Sequence, residues 1–179
     1  MPIIGSRGAA SASGFGQRSG VGILIDASGG SIEEIGDYRV HTFTSNGNFV
    51  VNEIAGSVPS PAQAVDYIVV AGGGGGGYSY GAGAGAGGYR ESHVEAISGP
   101  YTASPLASTT SIPISASPGT YPIVVGAGGG QSGLYADGQN GSPSSFSTIS
   151  ASGGGGGGGT GQGPGNPGGS GGGGGKQSG

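Results

Sequence analysis

The chain has no cysteine, few charges and few of the residues that build ordinary cores. Without cysteine there is no disulfide staple, no thiolate nucleophile and no Cys-ligated metal. Only 31 of the 179 residues are Leu, Ile, Val or Phe, about 17%, which is too thin for a typical enzyme core. Charged residues make up 8% and the net charge is −4, so self-repulsion does not hold the chain open. The five Lys and Arg residues are scattered and the pI is near 4.8, which leaves no electrostatic footprint for nucleic acid. No run of about 18 apolar residues exists to span a membrane as a helix. The opening residues, Met1-Pro2-Ile3-Ile4-Gly5-Ser6-Arg7-Gly8, carry no apolar stretch of the kind a signal peptide needs.

What the chain has in abundance is glycine. The 49 Gly and 11 Pro together are about a third of all residues, above the ~25–30% at which low complexity is the default expectation. Residues 1–20 are small and flexible around Phe15 and read either as a disordered terminus or as an arm that orders only against a partner, with Arg7, Phe15 and Arg18 as its anchors. Val21-Gly22-Ile23-Leu24-Ile25-Asp26 is a short strand candidate. Ser31 to Glu34 has capping-box spacing with Gly36 as a stop, which predicts a single helical turn. Two β-rich runs, 38–45 and 48–54, flank Asn46-Gly47, a dipeptide suited to a type I′ turn. That pattern predicts a hairpin over 38–54 with Phe43 opposite Val50 and Thr44 opposite Phe49.

Three further runs share one plan. Val65-Asp66-Tyr67-Ile68-Val69-Val70-Ala71 leads into six glycines at 72–77, and Thr120-Tyr121-Pro122-Ile123-Val124-Val125 into Gly126-Ala127-Gly128-Gly129-Gly130. The alternating stretch 144–152 leads into seven glycines at 153–159, and 111–115 is one more strand candidate. A lone glycine run loses much backbone entropy on ordering and buries no side chain, so it reads as a linker. Three runs, each launched from a strand, start in a fixed direction and can lie side by side. Without Cβ atoms they can approach closely and exchange backbone hydrogen bonds, each as an extended helix of three residues per turn. Residues 72–88 and 126–175 are therefore expected to pack as polyglycine segments. A collagen triple helix is excluded because no Gly-X-Y period persists.

No catalytic constellation is visible. Gly83, Gly85 and Gly88 match a dinucleotide-binding spacing, but chance supplies that match in so glycine-rich a segment, and no helix follows. The run at 171–175 before Lys176 fails as a phosphate loop, with Ser170 in place of the first Gly and Gln177 in place of Ser/Thr. His41 and His93 lie in separate segments. Glu33 and Glu34 diverge on a helical turn. Asp26, Asp37, Asp66 and Asp137 have no calcium-loop spacing. Asn140-Gly141-Ser142 has the form of a glycosylation sequon. No metal or cofactor is expected. Tyr78, Tyr80, Tyr89, Tyr101 and Tyr135 sit in or beside Gly-rich segments, either plugging gaps or serving as rigid contact area in binding loops. Their aromatic faces also suit sugar rings.

The strand-to-polyglycine runs at 65–77 and 120–130, Ala86-Gly87-Gly88-Tyr89-Arg90, and Ser144-Ser145-Phe146-Ser147 followed by 153–159 resemble the glycine-rich domain of bacteriophage tail fibres and adhesins. Val40 to Phe49 is similar to the hairpin that precedes this domain, and Gly5 to Ser11 to the start of some phage fibre proteins. The resemblance spans about 38–165. It implies a trimeric virion component of the tail that takes part in host recognition, with 78–89, 131–140 and 160–167 as candidate display loops.

The expectation is an all-β, non-enzymatic fibre protein without substantial helix: short antiparallel strands and a hairpin, then packed polyglycine segments of extended threefold type. Residues 1–20 would form an arm docking to the virion through Arg7, Phe15 and Arg18, residues 21–71 a small β-module, and residues 72–179 the glycine-rich region. Tyr78, Tyr80, Tyr89, Tyr135 and Gln139 are the candidate receptor-binding residues. The expected partners are other tail or baseplate proteins and a host glycan or outer-membrane protein, with no nucleic acid and no membrane insertion. A homotrimer would bury Phe43, Phe49, Tyr67, Ile123, Phe146 and Ile149 between chains to supply the missing core. The alternative is a monomeric glycine-rich surface binder, ice-binding or adhesive, and a third reading is a disordered linker.

Overall fold

The computed structural model describes residues 2–7, 25–36, 38–54, 63–116, 119–131, 133–161 and 163–176. These residues form an all-β sandwich of antiparallel sheets, and a bundle of polyglycine segments grows out of it. The strands are β1 (Pro2–Arg7), β2 (Ile25–Ser28), β3 (Ser31–Ile35), β4 (Tyr38–Thr42), β5 (Gly47–Ile54), β6 (Ala64–Val70), β7 (Tyr89–Glu91), β8 (Ile112–Pro113), β9 (Thr120–Val124), β10 (Ser144–Phe146) and β11 (Ile149–Ala151). One sheet runs β3-β4-β1-β6-β7, with β8 also on β6; the other runs β11-β10-β9-β5-β2. A four-residue turn, α1 (Glu95–Ser98), is the one helical element among the described residues.

Four local expectations are corrected. Residues 31–35 are not a helical turn but strand β3, paired along its length with β4. Five residues of β-pairing outweigh a capping box that has no apolar helical face behind it. Residues 38–54 are not a hairpin. β4 and β5 belong to different sheets, so the chain crosses the sandwich at 43–46. Neither Asn46 nor Gly47 has the positive φ that a type I′ turn requires, and Asn46 Oδ1 accepts the Val125 N–H at 2.8 Å. Gly47, Asn48, Phe49 and Val50 face Ile123, Pro122, Tyr121 and Thr120 of β9 instead. Residues 144–152 are not one strand but the β10–β11 hairpin, turned through Ser147 at φ +53°. Finally, 2–7 is no free arm: β1 lies between β4 and β6, with Arg7 opposite Tyr38. Phe15 and Arg18 lie outside the described residues.

The core is closed within one chain. Phe49, Phe146, Ile123, Val51, Val65 and Val69 are almost fully buried, with Phe43 and Tyr67 beside them. Phe49 and Phe146 meet edge to face at 6.0 Å. Ile149 packs against this cluster. The residues expected to need burial between chains therefore find it inside one chain, each contributing roughly 1.5–3 kcal/mol.

β6 shows how the fold is made. Its alternation sends Val65, Tyr67 and Val69 into the core. Asp66 is buried as well, under the segment that follows β7. Its carboxylate accepts hydrogen bonds from Ser92 Oγ (2.7 Å), Ser111 Oγ (2.5 Å), Ser98 Oγ (2.5 Å) and the Val94 N–H (2.9 Å). This one side chain pins 92–111 to the sheet. His41, also buried, has its Nδ1 at 2.9 Å from the Gly29 carbonyl, to which it donates, and stands edge-on to Phe49 at 5.0 Å.

Candidate functional site at the end of the polyglycine bundle

Each launching strand continues as a glycine rod and returns. Rods 1 (71–78) and 2 (82–88) link β6 to β7; rods 3 (126–130) and 4 (136–142) link β9 to β10; rods 5 (153–159), 6 (163–167) and 7 (169–176) follow β11. Rods 1 and 2 bond through 71 to 88, 74 to 85 and 77 to 82, at 2.9–3.0 Å. Rods 1 and 4 bond through 72 to 142, 75 to 139 and 78 to 136, at 2.8–3.3 Å. A repeat of three between bonded residues identifies the extended threefold helix.

Rod 5 is enclosed by rods 1, 2, 4, 6 and 7, and 154–159 is buried throughout. Its N–H groups point in three directions. Those of Gly154 and Gly157 donate to rod 1 and those of Gly155 and Gly158 to rod 7, all at 2.9 Å. Those of Gly156 and Gly159 donate to side chains of rod 4, Asn140 Oδ1 (2.9 Å) and Asp137 Oδ1 (2.8 Å). The carbonyls of 154–158 accept from rods 2, 4 and 6. Every polar group of 154–158 is therefore satisfied, as buried backbone requires. None of these glycines has positive φ, so what demands glycine is space. A Cβ on Gly156 would stand 1.8 Å from the Gly138 carbonyl oxygen.

The rods end together on the side away from the sheets. The Tyr78 N–H donates to the Ala136 carbonyl at 3.3 Å, Thr160 Oγ1 donates to the Ser79 carbonyl, and the Gly161 N–H reaches the Lys176 carbonyl at 2.8 Å. The turn at 78–81, the turn at 133–136 and the turn at 159–161 thus share one tip. Tyr80 is 83% exposed, Leu134 69% and Tyr135 60%. The Lys176 ammonium lies 5.8 Å from the Tyr80 ring centre. Ser79, Tyr80 and Tyr135 have φ of 46°, 40° and 62°. Left-handed backbone costs a non-glycine residue about 1–2 kcal/mol, and here it turns two aromatic rings outward on a hydrogen-bonded base.

Over residues 44–179 the sequence matches the family described as a glycine-rich domain. The chain belongs to this family. No curated protein and no solved structure matches it. The glycine-rich domain begins where the chain crosses between the sheets, so it includes β5 to β11 and every rod.

Of the five residues expected at a binding surface, the domain brings Tyr80 and Tyr135 to the tip, with Tyr78 half-buried beneath them. Gln139 is exposed but lies along rod 4, its N–H bonded to the Gly130 carbonyl at 3.0 Å. Tyr89 belongs to β7 at the other end of rod 2. Burial, then the Glu91 carboxylate, raises the Tyr89 hydroxyl above 10 and Tyr101 to about 12, so both remain hydrogen-bond donors at neutral pH. Sequence reasoning missed Leu134 and Lys176. An apolar residue between two glycine runs was the available signal for the first; only the closing of rod 7 onto the tip places the second. Among the described residues no three His, Asp or Glu side chains are grouped to hold a metal.

Proposed function

We propose that this protein is a non-enzymatic structural component of a phage tail fibre that contributes to host-cell attachment through the tip of its polyglycine bundle. The observation that carries this reading is the tip itself: the turns of two rod pairs present Tyr80, Leu134 and Tyr135 on a hydrogen-bonded base that the turn at 159–161 joins. Rigid aromatic loops on a stiff scaffold are the usual build of a recognition surface. In this reading the sandwich faces the rest of the virion and the partner at the tip is a host glycan or outer-membrane protein. Any trimer forms through surfaces outside the single-chain core.

The test is binding of the labelled chain to a panel of bacterial cells. Tyr80→Ala with Tyr135→Ala should abolish binding while the circular dichroism spectrum is unchanged; binding retained by the folded variant overturns the reading. The closed single-chain core favours one alternative, a monomeric surface binder. A light-scattering mass near 16.6 kDa together with thermal hysteresis on freezing would select it.

A further inference from the structure

A cavity of about 510 Å³ opens on the flank of the sandwich between strand β7, the turn and strand at 148–150, and the segment 104–108, with Tyr67 among its lining. β7 and β11 are edge strands of the two sheets, so the cavity lies where the sheets part. Its size suits a small molecule. Rod 2 separates it from the tip by about 22 Å, at about 3.1 Å per residue.

The lining limits what fits. Arg90 and Glu91 both line the cavity, from opposite faces of β7, so their opposite charges leave little net field for an ion. The Glu91 carboxylate is buried and already accepts the Tyr101 hydroxyl (3.3 Å) and the Ser104 N–H (3.1 Å). Arg90 spends one donor on a long 3.5 Å contact with the Ser150 carbonyl, and the other guanidinium donors remain to serve a ligand. The Thr148 and Ser150 hydroxyls add further polar groups, while the Tyr89 ring and Leu106 are exposed apolar surface. A wholly apolar ligand would strand the guanidinium and hydroxyls. An added peptide strand finds the free edge of β7 already taken, because the Ser108 N–H donates to the Glu91 carbonyl at 2.8 Å and Ser92 bridges to Ser108.

We propose that this flank cavity binds a neutral saccharide, with the C–H face of a pyranose ring on Tyr89 and its hydroxyls on Arg90 and the Thr148–Ser150 turn. The site is independent of the tip and gives the protein a second contact with a glycan-bearing surface.

Saturation-transfer NMR on the full chain tests this, with methyl β-galactoside, methyl α-glucoside and N-acetylglucosamine as neutral probes and glucuronate as the charged one. At least one neutral probe should show transfer to its ring protons. Tyr89→Ala and Arg90→Met should each weaken it about tenfold, and Tyr80→Ala should leave it unchanged. Thr148→Trp, an exposed substitution that fills the cavity, should abolish it and serves as the deciding variant if Tyr89→Ala unfolds. The proposal falls if no neutral probe shows transfer, if Thr148→Trp leaves the signal intact, or if glucuronate binds more tightly than all three. Because Tyr80→Ala spares the cavity, loss of cell binding and loss of saccharide binding are separate results.

Discussion

Adding one methyl group to the central rod tests the packing directly. In Gly156→Ala the new Cβ would lie 1.8 Å from the Gly138 oxygen and 2.4 Å from the Gly138 carbonyl carbon, both backbone atoms with no rotamer to yield. Ordinary contact would require rod 4 to withdraw by more than 1 Å. That movement breaks the bonds from Gly138 to Gly157 (2.8 Å), from Gly141 to Gly154 (2.9 Å) and from Gly156 to Asn140 (2.9 Å). Each lost bond removes about 0.5–1.5 kcal/mol, and each buried group left unpaired costs about 1–3 kcal/mol. Counted once per bond as a stranded buried group, the three losses come to about 3–9 kcal/mol, a large part of a typical domain stability of about 5–15 kcal/mol. For a chain of this length the melting temperature should fall by about 10–20 °C. Gly83→Ala is the matched control. Nothing lies within 4 Å of its Cβ and its φ is not positive, so it should hold or raise stability by up to about 1 kcal/mol. Thermal and urea unfolding of the two variants read the difference. If Gly156→Ala melts within 2 °C of Gly83→Ala, on the order of 1 kcal/mol, the rods are not close-packed and the reasoning fails.

Two further outcomes follow from the sandwich. Burial, the leading effect, lowers the His41 pKa below 6.5, so the unfolded chain takes up a proton before the folded one does. Stability should be full above pH 6.5 and decline as pH falls from there toward the lowered folded value. His41→Gln should remove that slope from a plot of melting temperature against pH, and an unchanged slope would assign it to other groups. Asp66→Ala should cost about 2–4 kcal/mol by stranding the donors of Ser92, Ser98, Ser111 and Val94. Hydrogen exchange should then speed up in 92–111 more than in 153–159, and equal acceleration in both would show that Asp66 does not pin this segment locally.

The sequence by itself determined the class of this protein. Strands that run straight into polyglycine, at 70–72 and 151–153, announce both the β-content and the rods, because the switch from branched side chains to none is written in adjacent residues. The exposed tyrosines of the tip were legible for the same reason: an aromatic ring among glycines has little around it to bury it. Tertiary structure decided what pairs with what. The Asn46-Gly47 signal is local, and β9, over 70 residues away, outcompeted β4 as the partner of β5. The capping box at Ser31 lost to the edge of β4. That the few large apolar side chains are buried within one chain could not be seen from composition, because the rods beside them are held by backbone groups that composition does not count. Tyr80 and Tyr135 share a tip because rods 1 and 4 bond directly to each other down to Tyr78 and Ala136, while rod 5 bonds to both.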